Sequence, residues 1–114
     1  MLKTPNFRVV LVTAPDAETA RTIVRTCLDS HLAACANILP GIESHYWWKG
    51  CLETAQELLI IFKTTADLIP ALERHVLLHH PYETPEFVSL PIAEGSSAYL
   101  QWLQASVKGT LPDA

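Results

Sequence analysis

Apolar and polar positions along this chain alternate between two periods, and each change of period marks an element. Residues 7–13, FRVVLVT, are β-branched and apolar over a short stretch, which predicts a strand buried on both faces. Pro15 and Asp16 then signal a helix start. Ala17, Ala20, Ile23, Val24, Cys27 and Leu28 recur at three- and four-residue steps, with Glu18, Arg21 and Arg25 between them. That is the pattern of an amphipathic helix, ending near His31.

Residues 33–42 predict a second strand, with Pro40-Gly41 as a bulge or bend inside it. SHYWW (44–48) continues in aromatic, strand-favouring residues, Lys49-Gly50 forms a turn, and CLETAQELLIIFKT (51–64) returns. Strands usually run about five or six residues, so this hairpin is expected to project beyond the domain. Tyr46, Trp47 and Trp48 near its tip would then form an exposed apolar patch beside an open strand edge, and both features call for a partner.

Pro70 is tolerated only in the first turn of a helix. With Asp67 as N-cap it takes the third helical position, and Leu68, Ile69, Leu72, Val76 and Leu77 form the buried stripe. Pro81 ends this helix by His80, because the residue before a proline disfavours helical geometry. Residues 86–91 predict a short last strand. Ser96 caps a final helix whose apolar face is Tyr99, Leu100, Trp102, Leu103 and Val107, while residues 1–6 and 108–114 are expected to be flexible tails. The order strand, helix, strand, strand, helix, strand, helix is an α+β, ferredoxin-like βαββαβ arrangement in one domain, with an extended hairpin and an added C-terminal helix.

The 114 residues suffice for one core, and 49% hydrophobic against 18% charged residues argues against disorder. A net charge of −4 with no basic cluster gives no electrostatic reason to bind nucleic acid or an anionic membrane. The N-terminal residues lack the apolar core of a signal peptide, and the longest apolar runs are too short for a bilayer, so a cytoplasmic protein is expected. Three cysteines, Cys27, Cys35 and Cys51, leave at least one unpaired and form no C-x-x-C, which favours reduced thiols.

Candidate chemistry is sparse. His79 and His80 are adjacent, about 100° apart on a regular helix, so they converge on one ion only if the helix end is irregular. The competing reading is a histidine that satisfies terminal carbonyls at the negative end of the helix. PYETPE (81–86) holds Tyr82 and Glu83 between two prolines, as a stiff binding platform or simply as a turn. Glu57 and Lys63 differ by an even number and share one face of an unbroken strand. Cys27 and Cys35 lie in apolar surroundings, and no phosphate loop, dinucleotide fingerprint or nucleophile elbow is present. No nucleophile, base and oxyanion hole assemble by spacing, so no enzyme is expected.

VTAPD (12–16), LAACANILPGI (32–42), YWWKG (46–50), KTT (63–65), HHPYETPE (79–86) and YLQWL (99–103) together closely resemble the CutA family, the divalent-cation tolerance proteins. The resemblance spans residues 7–107. It implies a ferredoxin-like fold in a PII-like homotrimer whose hairpins wrap neighbouring subunits. It also implies tolerance of divalent metals, copper in particular. Copper ligands ascribed to some members are a cysteine before the TAPD segment and the two histidines before PY; here His79 and His80 match, whereas the cysteine position is Val12, which has no donor atom. Trp48, Glu57, Lys63, His80, Tyr82 and Pro85 match recurring family positions and are expected to line clefts between subunits. The leading expectation is a trimeric, non-enzymatic metal-tolerance protein, with copper or another divalent ion at His79/His80. A PII-like sensor that holds a small anionic or amphipathic ligand through Lys63 and Tyr82, and a plain trimeric scaffold, are the alternatives.

Overall fold

The apolar run at 7–13 becomes strand β2, Phe7–Ala14, whose alternate residues Val10, Val12 and Ala14 are fully buried. The computed structural model describes residues 6–107 together with the backbone of Leu2 and Lys3. Asp16 caps the following helix α1, Ala17–Asp29, by accepting a 2.8 Å hydrogen bond from the Thr19 N–H. The helix ends with His31 in the left-handed region (φ 55), where His31 N–H reaches the Leu28 carbonyl and Leu32 N–H reaches that of Cys27. Two such bonds close a Schellman motif and satisfy carbonyls that the helix end leaves open.

Strands β3, Cys35–Trp48, and β4, Cys51–Thr65, form the long hairpin. Pro40 and Gly41 are the expected bulge: the register slips between Leu39 and Ile42, and Gly41 takes φ +75. Lys49 and Gly50 both have positive φ, as a two-residue hairpin turn that follows strand twist requires. Fifteen residues of β4 amount to about 50 Å of extended chain, and the hairpin accordingly sets the 47 Å long axis of the molecule.

Helix α2, Ile69–His79, follows a 3-10 turn at Ala66–Leu68. The expected Asp67 cap is not formed. Asp67 lies inside the 3-10 turn, and the entry is held by the Ala66 N–H on the Asn6 carbonyl at 2.6 Å. Pro70 still falls in the first helical turn, and Leu72 and Val76 are buried. Leu77, expected in the stripe, is exposed, since it stands about 100° around the helix from Val76.

Strand β5 is Val88–Pro91, shorter than the expected 86–91. A two-residue strand β6, Glu94–Gly95, pairs with β1, Leu2–Lys3, inside the segment expected to be a tail; residues 108–114 lie outside the described residues. Helix α3, Ser97–Ser106, is capped by Ser96 as expected. Leu100, Leu103 and Val107 pack with Phe7 into a second small cluster, while Tyr99 and Trp102 stay half-exposed against each other.

The main sheet has the ferredoxin-like order β3-β4-β2-β5, antiparallel throughout. Its two faces differ. Val10, Val12, Ile60, Phe62, Ala36 and Ile38 pack beneath α1 and α2. Val9, Leu11, Ile61, Leu59, Leu39 and Leu90 are cross-strand neighbours on the opposite face; α3 covers one end of it, at Phe7 and Cys35, while Leu39 and Leu90 are nearly half exposed. Among the described residues no helix is long and apolar enough to cross a membrane.

Candidate functional site

β4 outruns β2. Its residues 51–57 have no β2 partner, because the ladder between the two strands ends at Ala14 and Leu58. The segment after α2 runs into this space. At its head, His80 adopts extended backbone (φ −91, ψ 133), as the following Pro81 demands, and turns its ring inward. The ring is buried, at 8% exposure. Its Nε2 lies 2.7 Å from the Thr13 carbonyl, and its Nδ1 accepts the Tyr82 N–H at 3.2 Å. An accepting Nδ1 assigns the proton of a neutral ring to Nε2, which donates to Thr13.

Tyr82 then stacks obliquely on His80, with ring centroids 4.7 Å apart, and its hydroxyl donates to Glu57 Oε2 at 2.7 Å. Glu57 is 5% exposed. Burial first, and the Glu57 carboxylate second, push the Tyr82 phenol well above its ordinary range, so it remains a donor. A chain of contacts from β2 through His80 and Tyr82 to β4 thus pins the 81–86 segment against the hairpin.

Between that segment and the hairpin lies a cavity of about 820 Å³. Tyr46, Trp47, Trp48 and Tyr82 supply its aromatic walls, and Glu57, Glu83 and Glu86 its acids. No Lys or Arg is among its lining residues. Among the described residues an ammonium stands at the hairpin turn, that of Lys49, 5.5 Å from the Trp48 ring centroid and 3.9 Å from Glu83.

The residues singled out in the sequence divide here. Trp48, Glu57 and Tyr82 meet at the cavity, and His80 braces it from below. Lys63 does not join them within one chain: six residues along an extended strand separate it from Glu57 by about 20 Å, and its Nζ donates to the Asn37 side chain. His79 is half-buried in the last turn of α2. Sequence reasoning missed Glu86 and His45 as lining residues and the Thr13 carbonyl as an anchor. The paired prolines around Tyr82 and Glu83 were the one local signal for the site.

The histidine pair does not fit a copper chelate. Both His80 nitrogens are already engaged, so a metal could bind that ring only by displacing one of its hydrogen bonds. Val12, at the cysteine position, is sealed in the core. No three His, Cys, Asp or Glu side chains converge into a metal cage among the described residues. Nor is Cys27 a nucleophile, since burial pushes its thiol up to about 12.

Comparison with known proteins is consistent with this architecture over nearly the whole chain. The divalent-cation tolerance protein CutA of Thermus thermophilus is 50% identical over 96 residues, covering 84% of this chain and 93% of that protein. The solved structure of the divalent cation tolerance protein from Thermus thermophilus superimposes with a TM-score of 0.87 at 48% identity, covering 89% of this chain and 98% of that one. That of CutA1 from Oryza sativa gives 0.88 at 43% identity, covering 91% and 95%. A family profile described as CutA1 divalent ion tolerance protein matches residues 8–106, from the first core strand to the end of α3. With that span, these identities and this sheet order in agreement, the chain belongs to the CutA1 divalent ion tolerance family.

Proposed function

We propose that the chain is a non-enzymatic, PII-like homotrimeric protein of divalent-ion tolerance, and that it acts through a small ligand bound in the cavity between the hairpin and the 81–86 segment. The observation that carries this reading is the brace itself. The hydrogen bond from Tyr82 to the buried Glu57 joins two segments 25 residues apart and holds a cavity open beside them. Its volume falls in the range of about 300–1,000 Å³ usual for small-molecule sites. The exposed Leu39 and Leu90 on the sheet face that α3 covers only in part, and the long open edge of β3, support self-association, since a single chain leaves both uncovered. Three free thiols suit the reducing cytoplasm, where we place the protein.

A second reading is direct binding of copper or another divalent ion at His79 and His80; the family description supports only its coarser part, divalent-ion tolerance. One set of measurements separates the two. Sedimentation establishes the assembly. Calorimetric titration with copper and zinc, on the unmodified protein and on His79→Ala, tests the metal. We expect equal heats from both proteins, together with a metabolite that raises the melting temperature with no metal present. Heats that vanish in His79→Ala would instead assign the ion to the histidines, and a single folded chain in dilute buffer would remove the trimer.

A further inference from the structure

We infer that the cavity is built for an organic ammonium with an apolar body, its nitrogen on Glu57 Oε1 and its apolar part against Trp47, Trp48 and Tyr82. The inference rests on the reading of this cavity as a ligand site and names the class of ligand.

Within one chain the charge pattern disfavours anions. Three carboxylates face the cavity and no Lys or Arg lines it; Lys63, the cation that an anionic ligand would need, lies far along β4, and Lys49 is drawn to Glu83 at the rim. Glu57 is the decisive group. It is nineteen-twentieths buried, it has no cationic partner among the described residues, and its one hydrogen-bond donor is a neutral phenol. A carboxylate withdrawn from water in this way is stabilised strongly by a cation that reaches it. Oε2 is taken by Tyr82, whereas Oε1 has no partner and is not sealed off, Thr65 Oγ1 being the buried side-chain atom left without one.

The choice of cation follows from geometry. The three carboxylates do not converge as a metal cage, which removes a bare divalent ion. A guanidinium binds best as a fork across both oxygens of a carboxylate, and only one is free here. An ammonium needs one. Aromatic faces attract such a group when it lies within about 6 Å of the ring centroid. The chain's own Lys49 shows the arrangement at the rim, with its ammonium 5.5 Å from the Trp48 centroid and next to Glu83.

Phenethylamine, 2-phenylethanol and 3-phenylpropanoate share a ring and a short chain but end in a cation, a neutral hydroxyl and an anion. Calorimetric titration of each into the full-length protein at pH 7 should show the amine binding at least about tenfold tighter than the alcohol, with the anion weakest. Glu57→Gln keeps an acceptor for Tyr82 and should bring the amine to within about twofold of the alcohol, with the alcohol unchanged. Should that variant fail to fold, Trp47→Ala, at a side chain 73% exposed, should weaken the amine more than the alcohol while sedimentation stays the same. Equal binding of amine and alcohol, or tighter binding of the anion, overturns the ammonium inference and leaves the cavity a ligand site. Binding of none of the three overturns it as well. The broader reading falls only if a metabolite screen also leaves the melting temperature unmoved.

Discussion

Tyr82 shows how much one side chain carries in this molecule. Its backbone N–H fixes the tautomer of His80, its ring covers that histidine, and its hydroxyl is the donor to a buried carboxylate. Tyr82→Phe removes the hydroxyl and leaves Glu57 without a donor, which should destabilise the fold by about 1.5–3 kcal/mol, read by urea unfolding at fixed protein concentration. A stability change below a few tenths of that range would mean water replaces the phenol freely. Titration gives a second test at this scale. Tyr99 is pushed up to about 12, first by burial and then by the Cys35 thiol 3.7 Å from its hydroxyl, and Tyr82 is raised further. Both phenols ionise less readily folded than unfolded, so above pH 10 the folded state binds more protons and stability falls as pH rises towards 12. Stability measured from pH 9 to 12 should therefore decline, and Tyr99→Phe should flatten part of that decline.

At the scale of elements, the hairpin depends on its turn and its bulge. Gly50 takes φ +80, and no atom lies within 4 Å of the place where a Cβ would stand. Gly50→Ala therefore meets no neighbour and costs only the backbone term, about 1–2 kcal/mol. Because the hairpin opens locally, the expected readout is faster amide exchange across residues 44–55 with the core amides unaffected. Most element boundaries were legible from near neighbours along the chain. Asp16 and Ser96 sit at their caps, Pro40-Gly41 at the bulge, and Pro81 just past the end of α2. The Asp67 cap failed because a tertiary bond, Ala66 to Asn6, sets that entry instead. Leu77 and Trp102 were read as buried because periodicity reports which residues share a helix face, not how far a neighbouring layer extends across it.

For the whole molecule, the partly uncovered sheet face is the feature with consequences. Leu90 stands on that face, 48% exposed in one chain, and pairs across from Val9. Leu90→Glu should leave the circular dichroism spectrum unchanged yet lower the sedimentation coefficient towards that of a single chain, because the charge is tolerated in water and not in an apolar contact between copies. An unchanged coefficient would place any contact between copies elsewhere. The run at 7–13 anticipated this arrangement, since apolar residues on both faces of one strand require two covering layers, and this chain provides one in full and, through α3 over Phe7, only the end of the other.

By itself the sequence determined the elements, their order and the ferredoxin-like class, because periodicity, caps and turn residues act over a few neighbours. It also singled out His80, Tyr82 and Glu57, which the fold brings together, and Lys63, which it does not. Only the folded chain decided their roles, through contacts set by strand register and by the path of one loop. The His80–Thr13 bond spans 67 residues and occupies a nitrogen that the sequence offered to a metal. The β2–β4 register left residues 51–57 without a β2 partner, brought Glu57 to Tyr82, and carried Lys63 away to Asn37, so a face shared along a strand did not become a shared site.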